Sequence, residues 1–149
     1  MPTLAQDALE TADAPRQRAT PLQKGGYVQG GPKLILRLEG ALVLAAASAA
    51  YTHVGSGWML FAVLFLVPDL SMLGYLIGRR VGAVVYNLGH SYILPAALGA
   101  WGVVDGQALA MSVALIWIAH IGFDRLAGYG LKYAAAFQHT HLGQAGRKT

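Results

Sequence analysis

Four apolar runs constrain the fold of this chain more than any other feature. They cover residues 34–51, 58–78, 81–103 and 107–127. Each is close to the roughly 20 residues that an α-helix needs to cross a bilayer. Stretches such as "LFAVLFLV" and "ALVLAAASAA" have no polar face of the kind that a soluble helix needs. Only 12% of the residues are charged, against about 25% in soluble domains. We therefore predict a membrane protein.

The connections between the runs are short. The sequences "THVGSG", "RR" and "VDGQ" leave room only for turns, so consecutive helices should be antiparallel neighbours. The predicted fold class is all-α, an integral membrane four-helix up-down bundle. Residues 33–128 form the transmembrane domain in this interpretation. Residues 1–32, with several charges, prolines and glycines, are expected to be a flexible cytoplasmic tail, and residues 129–149 a second one.

The basic residues predict the orientation of the bundle. All 11 Lys and Arg precede or open the first run, separate the second from the third, or end and follow the fourth. The other two connections contain only His53 and Asp105 as ionisable residues. The positive-inside rule then places both termini and the turn at Arg79 and Arg80 in the cytoplasm. We predict a multi-pass protein of the cell inner membrane.

Charge and small residues indicate the partners. The formal net charge of +4 is spread over the ends of the runs and forms no basic stripe, so no nucleic acid is expected as a partner. Membrane lipids are the expected partners. Gly74, Gly78 and Gly82 recur at every fourth position, which suits either a tight turn or close helix approach in a homo-oligomer.

Five acidic or histidine side chains lie inside the apolar runs, all in the middle or the predicted cytoplasmic half. They are Glu39, Asp69, His90, His120 and Asp124. A charged side chain at the centre of a membrane helix costs about 2.5 to 3.5 kcal/mol, so we expect these groups to converge on the bundle axis. His120 and Asp124 are four residues apart and share one helix face. Pro68 should kink the second helix beside Asp69.

A metal site is the first interpretation of this polar cluster. The chain has no cysteine, so any metal must be bound by His, carboxylate or carbonyl groups. We predict His90, His120 and Asp124 as ligands of zinc, manganese or iron, with Glu39 and Asp69 as catalytic carboxylates.

Two other interpretations remain open for the same residues. The cluster can be a closed hydrogen-bond network that holds the helices together, or a proton or ion relay. The supporting polar residues are Arg37, Tyr75, Tyr86, Asn87, Ser91 and Arg125. A cap from the C-terminal tail would use Lys132, His139 and His141.

Several segments resemble a known family. The sequences "RLEG", "PDLSMLGY", "YNLGHSYILP", "LIWIAHIGFDRLAGYGLKY" and "THLG" occur in the order and spacing of the bacterial family known as domain of unknown function 4260, over about residues 36–143. The resemblance implies a small four-helix membrane protein without an assigned activity. It falls on Arg37, Glu39, Asp69, Tyr75, Tyr86, Asn87, His90, His120, Asp124, Arg125, Tyr129, Lys132, Thr140 and His141.

Three functions are compatible with this sequence. The first is a metal-dependent intramembrane hydrolase or transferase of a lipid-like substrate, in which water is the nucleophile because the chain has no serine or cysteine nucleophile motif. The second is a proton or ion relay, or a transporter component. The third is a structural or interaction protein without catalysis.

Overall fold

A computed structural model describes residues 28–54, 56–134 and 139–144. Its helices are α1 (Gly30–Val54), α2 (Trp58–Phe65), a 3-10 helix (Val67–Leu76), α3 (Arg79–Gly89), α4 (Ile93–Val104) and α5 (Ala108–Ala127). Two short antiparallel strands follow, β1 (His139–Thr140) and β2 (Gly143–Gln144). Apart from this pair, the described part of the chain is helical, as the sequence predicts. The predicted N-terminal tail lies outside the described residues as far as residue 27.

Three helical segments are long and apolar enough to cross a membrane. They are α1, the combined segment Trp58–Leu76, and α5. In the most apolar part of each segment, 50% of the residues of α5 are buried, compared with 17% for α1 and 6% for Trp58–Leu76. α5 is therefore the central helix, against which α1, α2 and α4 pack. The two peripheral segments present their apolar side chains outward, which suits a lipid environment.

The third apolar run forms two helices, whereas the sequence predicts a single one. α3 ends at Gly89 and α4 begins at Ile93, so that His90 lies in the break between them. Pro95 accounts for the break, because its ring conflicts with the carbonyl group of Ser91 and it has no N–H to donate. The expectation of one continuous helix over this run is wrong.

The second apolar run changes its helix type beside Pro68. α2 ends at Phe65, and the chain continues from Val67 as a 3-10 helix of 10 residues. The disturbance that Pro68 predicts is thus present, and it places Asp69 in the first turn of the 3-10 helix. The 3-10 helix packs mainly on α3. This contact brings Asp69 toward the helix break that contains His90.

Two glycines allow α1 and α5 to approach closely. A Cβ atom at Gly40 would lie 2.6 Å from Cβ of Arg125 and 2.7 Å from the backbone nitrogen of Leu126. A Cβ atom at Gly122 would lie 2.7 Å from the backbone nitrogen of Leu44. Real Cβ atoms essentially never approach other atoms so closely. The pair therefore sets the spacing of α1 and α5, as small residues do in membrane helix pairs.

Alanine at Gly40 should destabilise the protein, while alanine at Gly31 should not. Both positions lie in α1, but a Cβ atom at Gly31 meets nothing within 4 Å. We expect Gly40→Ala to lower the free energy of unfolding by about 1 to 3 kcal/mol, because the two helices must separate. Gly31→Ala should leave it unchanged or raise it by up to about 1 kcal/mol. Unfolding in mixed micelles, followed by circular dichroism, measures both. Equal effects of the two substitutions would contradict this account of the packing.

Candidate metal centre

Four of the five acidic and histidine side chains in the apolar runs converge on one point. Asp69 comes from the 3-10 helix, His90 from the break after α3, and His120 and Asp124 from α5. One candidate ligand atom from each lies within 4.8 Å of the other three. Both histidines are buried, the Asp124 side chain is 10% exposed and that of Asp69 is 36% exposed.

Glu39 is not part of this group. Its side chain is exposed on α1. The predicted pair of catalytic carboxylates is therefore not brought together, and Asp69 is the carboxylate that reaches the histidines.

Five of the six distances within the cluster are close to the edges of a coordination tetrahedron. Nε2 of His90 lies 3.3 Å from Nε2 of His120. The four separations between a histidine Nε2 and an aspartate oxygen lie between 3.4 and 3.9 Å. A tetrahedral site with metal–ligand distances of about 2.0 to 2.1 Å has ligand–ligand edges of about 3.3 to 3.4 Å. His90, His120 and Asp124 would therefore need only small shifts to bind one ion.

His90 is oriented by groups outside the cluster. Its Nδ1 lies 3.0 Å from the backbone carbonyl oxygen of Tyr86, and the Tyr86 ring stacks on the imidazole with the centroids 3.8 Å apart. Donation from Nδ1 to this carbonyl favours the tautomer whose Nε2 carries a lone pair. That lone pair faces the cluster. Metal-binding histidines are commonly fixed in this way, by a hydrogen bond from the ring nitrogen that does not bind the metal.

The cluster holds more acceptors than donors. If both imidazoles are neutral, and Nδ1 of His90 carries its proton, the only N–H that can face the cluster is Nε2–H of His120. The hydroxyl group of Tyr86 donates to Oδ2 of Asp124 over a long 3.4 Å. Within the cluster and Tyr86, two carboxylate oxygens and the Nε2 of His90 therefore share only two donors, the Nε2–H of His120 and the Tyr86 hydroxyl group. A cation, or additional protons, would relieve this imbalance.

Two α5 side chains satisfy backbone carbonyl groups at the helix break. Nη2 of Arg125 donates to the carbonyl of His90 at 2.9 Å, and Nε1 of Trp117 donates to that of Gly89 at 2.6 Å. Nη1 of Arg125 donates to the carbonyl of Tyr129 at 2.9 Å. Backbone groups in an apolar interior require such partners, because unpaired polar groups are costly there. The hydrogen bonds of Arg125 thus brace the backbone around the cluster.

The other predicted supporting residues lie around the cluster. The Asn87 side chain donates to the backbone carbonyl of Lys132 at 2.9 Å and accepts from its N–H at 2.7 Å. Arg37 donates to the carbonyl of Leu126 at 2.7 Å, at the end of α5. Ser91 donates weakly within its own turn, and the Tyr75 ring packs under the Lys132 ammonium group. Of the predicted network, Tyr86 contacts the cluster through its side chain.

A cavity of about 320 Å³ lies against the cluster. Asp69 and Asp124 form part of its wall, so both carboxylates can meet a molecule inside it. The other lining residues are Met72, Tyr86, Phe123, Tyr129, Lys132 and Thr140. The sequence prediction of the site rests on ionisable and polar residues and does not include the apolar lining residues Met72 and Phe123. Met72 follows Asp69 by three residues, so helical spacing could have placed both on one face.

The chain after α5 returns beneath the cluster. Leu131 and His141 pair through two hydrogen bonds: the Leu131 N–H donates to Nδ1 of His141 at 2.9 Å, and the His141 N–H donates to the Leu131 carbonyl at 3.1 Å. This contact places Thr140 in the cavity wall beside Lys132, with which it forms an antiparallel β-bridge. His141 therefore holds the returning segment in place. The side chain of His139, the other histidine predicted for a cap, lies outside the described residues.

Acid should loosen this returning segment. Burial, together with the charge of Arg125, lowers the pKa of His141 below its ordinary value of 6.5. The neutral ring is needed to accept from Leu131, so the contact is fully stable above about pH 6.5 and weakens as the pH falls below that value. Amide exchange at Leu131, corrected for its intrinsic rate, should be faster at about pH 5 than at about pH 7.5. His141→Asn keeps an acceptor but cannot titrate, and should abolish the difference. An equal pH response in this variant would contradict the assignment.

The comparisons with known proteins identify a family and no activity. The family model described as domain of unknown function DUF4260 matches residues 33–145. The resemblance noted in the sequence is thereby confirmed. No curated protein and no solved structure matches the chain.

Proposed function

The chain belongs to the DUF4260 family, a domain of unknown function, and from the geometry of its buried cluster we propose that it is a metal-dependent hydrolase or transferase that acts on a lipid-like substrate. The observation that carries this proposal is the convergence of two imidazole nitrogens and two carboxylate oxygens within 4.8 Å. They stand beside a cavity that a substrate can enter.

The proposed membrane arrangement has four crossings in the cell inner membrane, with both termini in the cytoplasm. α1, the segment Trp58–Leu76 and α5 supply three of them. We assign the fourth to α3 and α4 together, across the break at His90. The distribution of Lys and Arg supports this orientation. It puts the cavity near the cytoplasmic headgroups, because Tyr129 and Lys132 in its wall directly follow α5.

In the proposed site His90, His120 and Asp124 hold the metal. They are the three most buried members of the cluster, with His90 fully enclosed. Two imidazoles and a carboxylate suit zinc, manganese or iron, and three protein ligands leave a position for water or substrate. A divalent ion bound there would lower the pKa of a coordinated water and polarise a substrate oxygen.

Asp69 is the proposed general base. Its side chain is the most exposed of the four and lines the cavity. Its Oδ1 lies 3.5 Å from Nε2 of His90 and 3.6 Å from Nε2 of His120, so it reaches the point at which the metal would sit. A carboxylate in this position can accept a proton from the attacking water, or bind the metal as a fourth ligand.

Metal content tests the first part of the proposal. Protein purified in detergent without chelators should contain close to one zinc, manganese or iron per chain by mass spectrometry. His120→Ala and Asp124→Asn should each lower the metal affinity by about tenfold or more, because the first removes a ligand and the second replaces a charged carboxylate by a neutral amide. The matched controls are His53→Ala and Asp105→Asn, which alter exposed residues outside the cluster. Both should retain the metal.

Added metal provides a second measurement, in which each folded variant is compared with itself without metal. Binding to the native state should raise the melting temperature of wild type and of the two controls. The two cluster variants should respond weakly. Absence of metal in wild type after growth in supplemented medium, together with no thermal response, would overturn the metal site. The hydrogen-bond network and the proton relay would then remain.

Asp69→Asn tests the second part. Wild type loaded with metal should hydrolyse para-nitrophenyl esters of carboxylic or phosphoric acids, and a chelator should stop the reaction. Loss of the base should lower kcat by about 100-fold or more, while the variant still binds metal through its three other ligands. Glu39→Gln is the control, since Glu39 lies outside the cluster. Loss of activity in Glu39→Gln with full activity in Asp69→Asn would contradict the assignment.

A further inference from the structure

We propose that the cavity beside the cluster binds a phosphate group, held by the Lys132 ammonium group on one side and by the metal centre on the other. This inference rests on the proposed metal site and narrows its substrate to phosphate esters. Lys132 is the cationic residue among those that line the cavity, and it shares the wall with both carboxylates of the cluster.

The charges favour an anion once a divalent metal is present. With neutral imidazoles, the two carboxylates and one ammonium group give the site a net charge of −1. A divalent cation changes this to +1, and the positive charge then stands at two separated points. A phosphate group offers oxygens to both, and charge-assisted hydrogen bonds to such oxygens are among the strongest in proteins.

Lys132 is placed by several contacts. Its backbone is held by both polar atoms of the Asn87 side chain, at 2.9 and 2.7 Å. Its Nζ lies 4.1 Å from the ring centre of Tyr86 and 5.2 Å from that of Tyr75, where the ring faces attract a cation. Burial lowers the pKa of Lys132, and the nearby charges of Asp124 and Asp69 oppose that shift. The ammonium group is thus fixed at the edge of the cavity.

The rest of the lining also suits a phosphate ester. Tyr129 carries a hydroxyl group that can donate to a phosphate oxygen, whereas the hydroxyl groups of Tyr86 and Thr140 donate to Asp124 and to the Gly143 carbonyl. Phe123 is 45% exposed and Met72 37% exposed, so apolar surface continues outward from the cavity. In the proposed topology this surface faces the headgroup region of the inner leaflet. The phosphate can therefore come from a lipid headgroup or from a soluble ester.

Calorimetry with inorganic phosphate tests the inference on the full-length protein in detergent. Metal-loaded wild type should bind phosphate at one site per chain. Lys132→Met, which keeps the length of the side chain without its charge, should weaken binding by roughly 10- to 100-fold with an unchanged metal content. Arg80→Met removes an exposed cationic side chain outside the cavity and should bind like wild type.

The two sources of phosphate are separated by competition. Nanodiscs that contain phosphatidic acid, compared with nanodiscs of phosphatidylcholine alone, should displace inorganic phosphate if the ligand is a lipid headgroup. Glycerol 3-phosphate should displace it in either case.

Two results would overturn the phosphate site while the metal site stands. They are metal-loaded wild type that does not bind phosphate, and Lys132→Met that binds it as tightly as wild type. If wild type contains no metal, the metal site and the phosphate site are both overturned. The elemental analysis of the same samples distinguishes these failures.

Discussion

The position of His90 in a break between two helices is the constraint on which the site depends. The break interrupts the backbone hydrogen bonds of an apolar segment, whose freed carbonyl groups need other donors. Trp117 and Arg125, both on α5, donate to the carbonyl groups of Gly89 and His90. The same helix carries His120 and Asp124. The contacts that repair the break therefore also set the distance between the imidazole of His90 and its partners.

This arrangement explains why an apolar helix contains His120, Asp124 and Arg125 within six residues. Arg125 donates hydrogen bonds to the backbone carbonyl groups of His90 and Tyr129. His120 and Asp124 lie within 4 Å of His90, and His120 lies 3.6 Å from Asp69. An isolated charge at this depth would be costly, but groups that share hydrogen bonds and opposite charges are tolerated. The close α1–α5 contact at Gly40 and Gly122 holds the central helix in register.

The sequence predicts the helical class and most of the cluster, because both follow from local rules. Apolar length identifies the helices, and the cost of isolated charges predicts that Asp69, His90, His120 and Asp124 meet. The position of Glu39 could not be predicted in this way, since one residue of rotation on α1 decides whether it faces inward. Pro95 is a local indication of the break at His90, but the apolar run continues through it, so hydropathy alone predicts one helix. The hydrogen bond from Arg125 to the His90 carbonyl exists only because of that break, so it could not be predicted without it.

The site combines an enclosed half and an accessible half. His90 and His120 are enclosed and oriented, whereas Asp69 and Lys132 border a cavity that the returning segment at Thr140 partly closes. An accessible carboxylate beside a cavity of about 320 Å³ is the feature that supports the proposed catalysis.

X-ray absorption spectroscopy of the metal-loaded protein tests the central claim most directly, because it reports the atoms around the metal. We predict a first shell of nitrogen and oxygen at about 2.0 to 2.2 Å, with the outer-shell scattering of two imidazole rings, one of which disappears in His120→Ala. A shell of oxygen alone, without imidazole scattering, or a spectrum unchanged in His120→Ala, would contradict the assignment of the buried cluster as a metal centre.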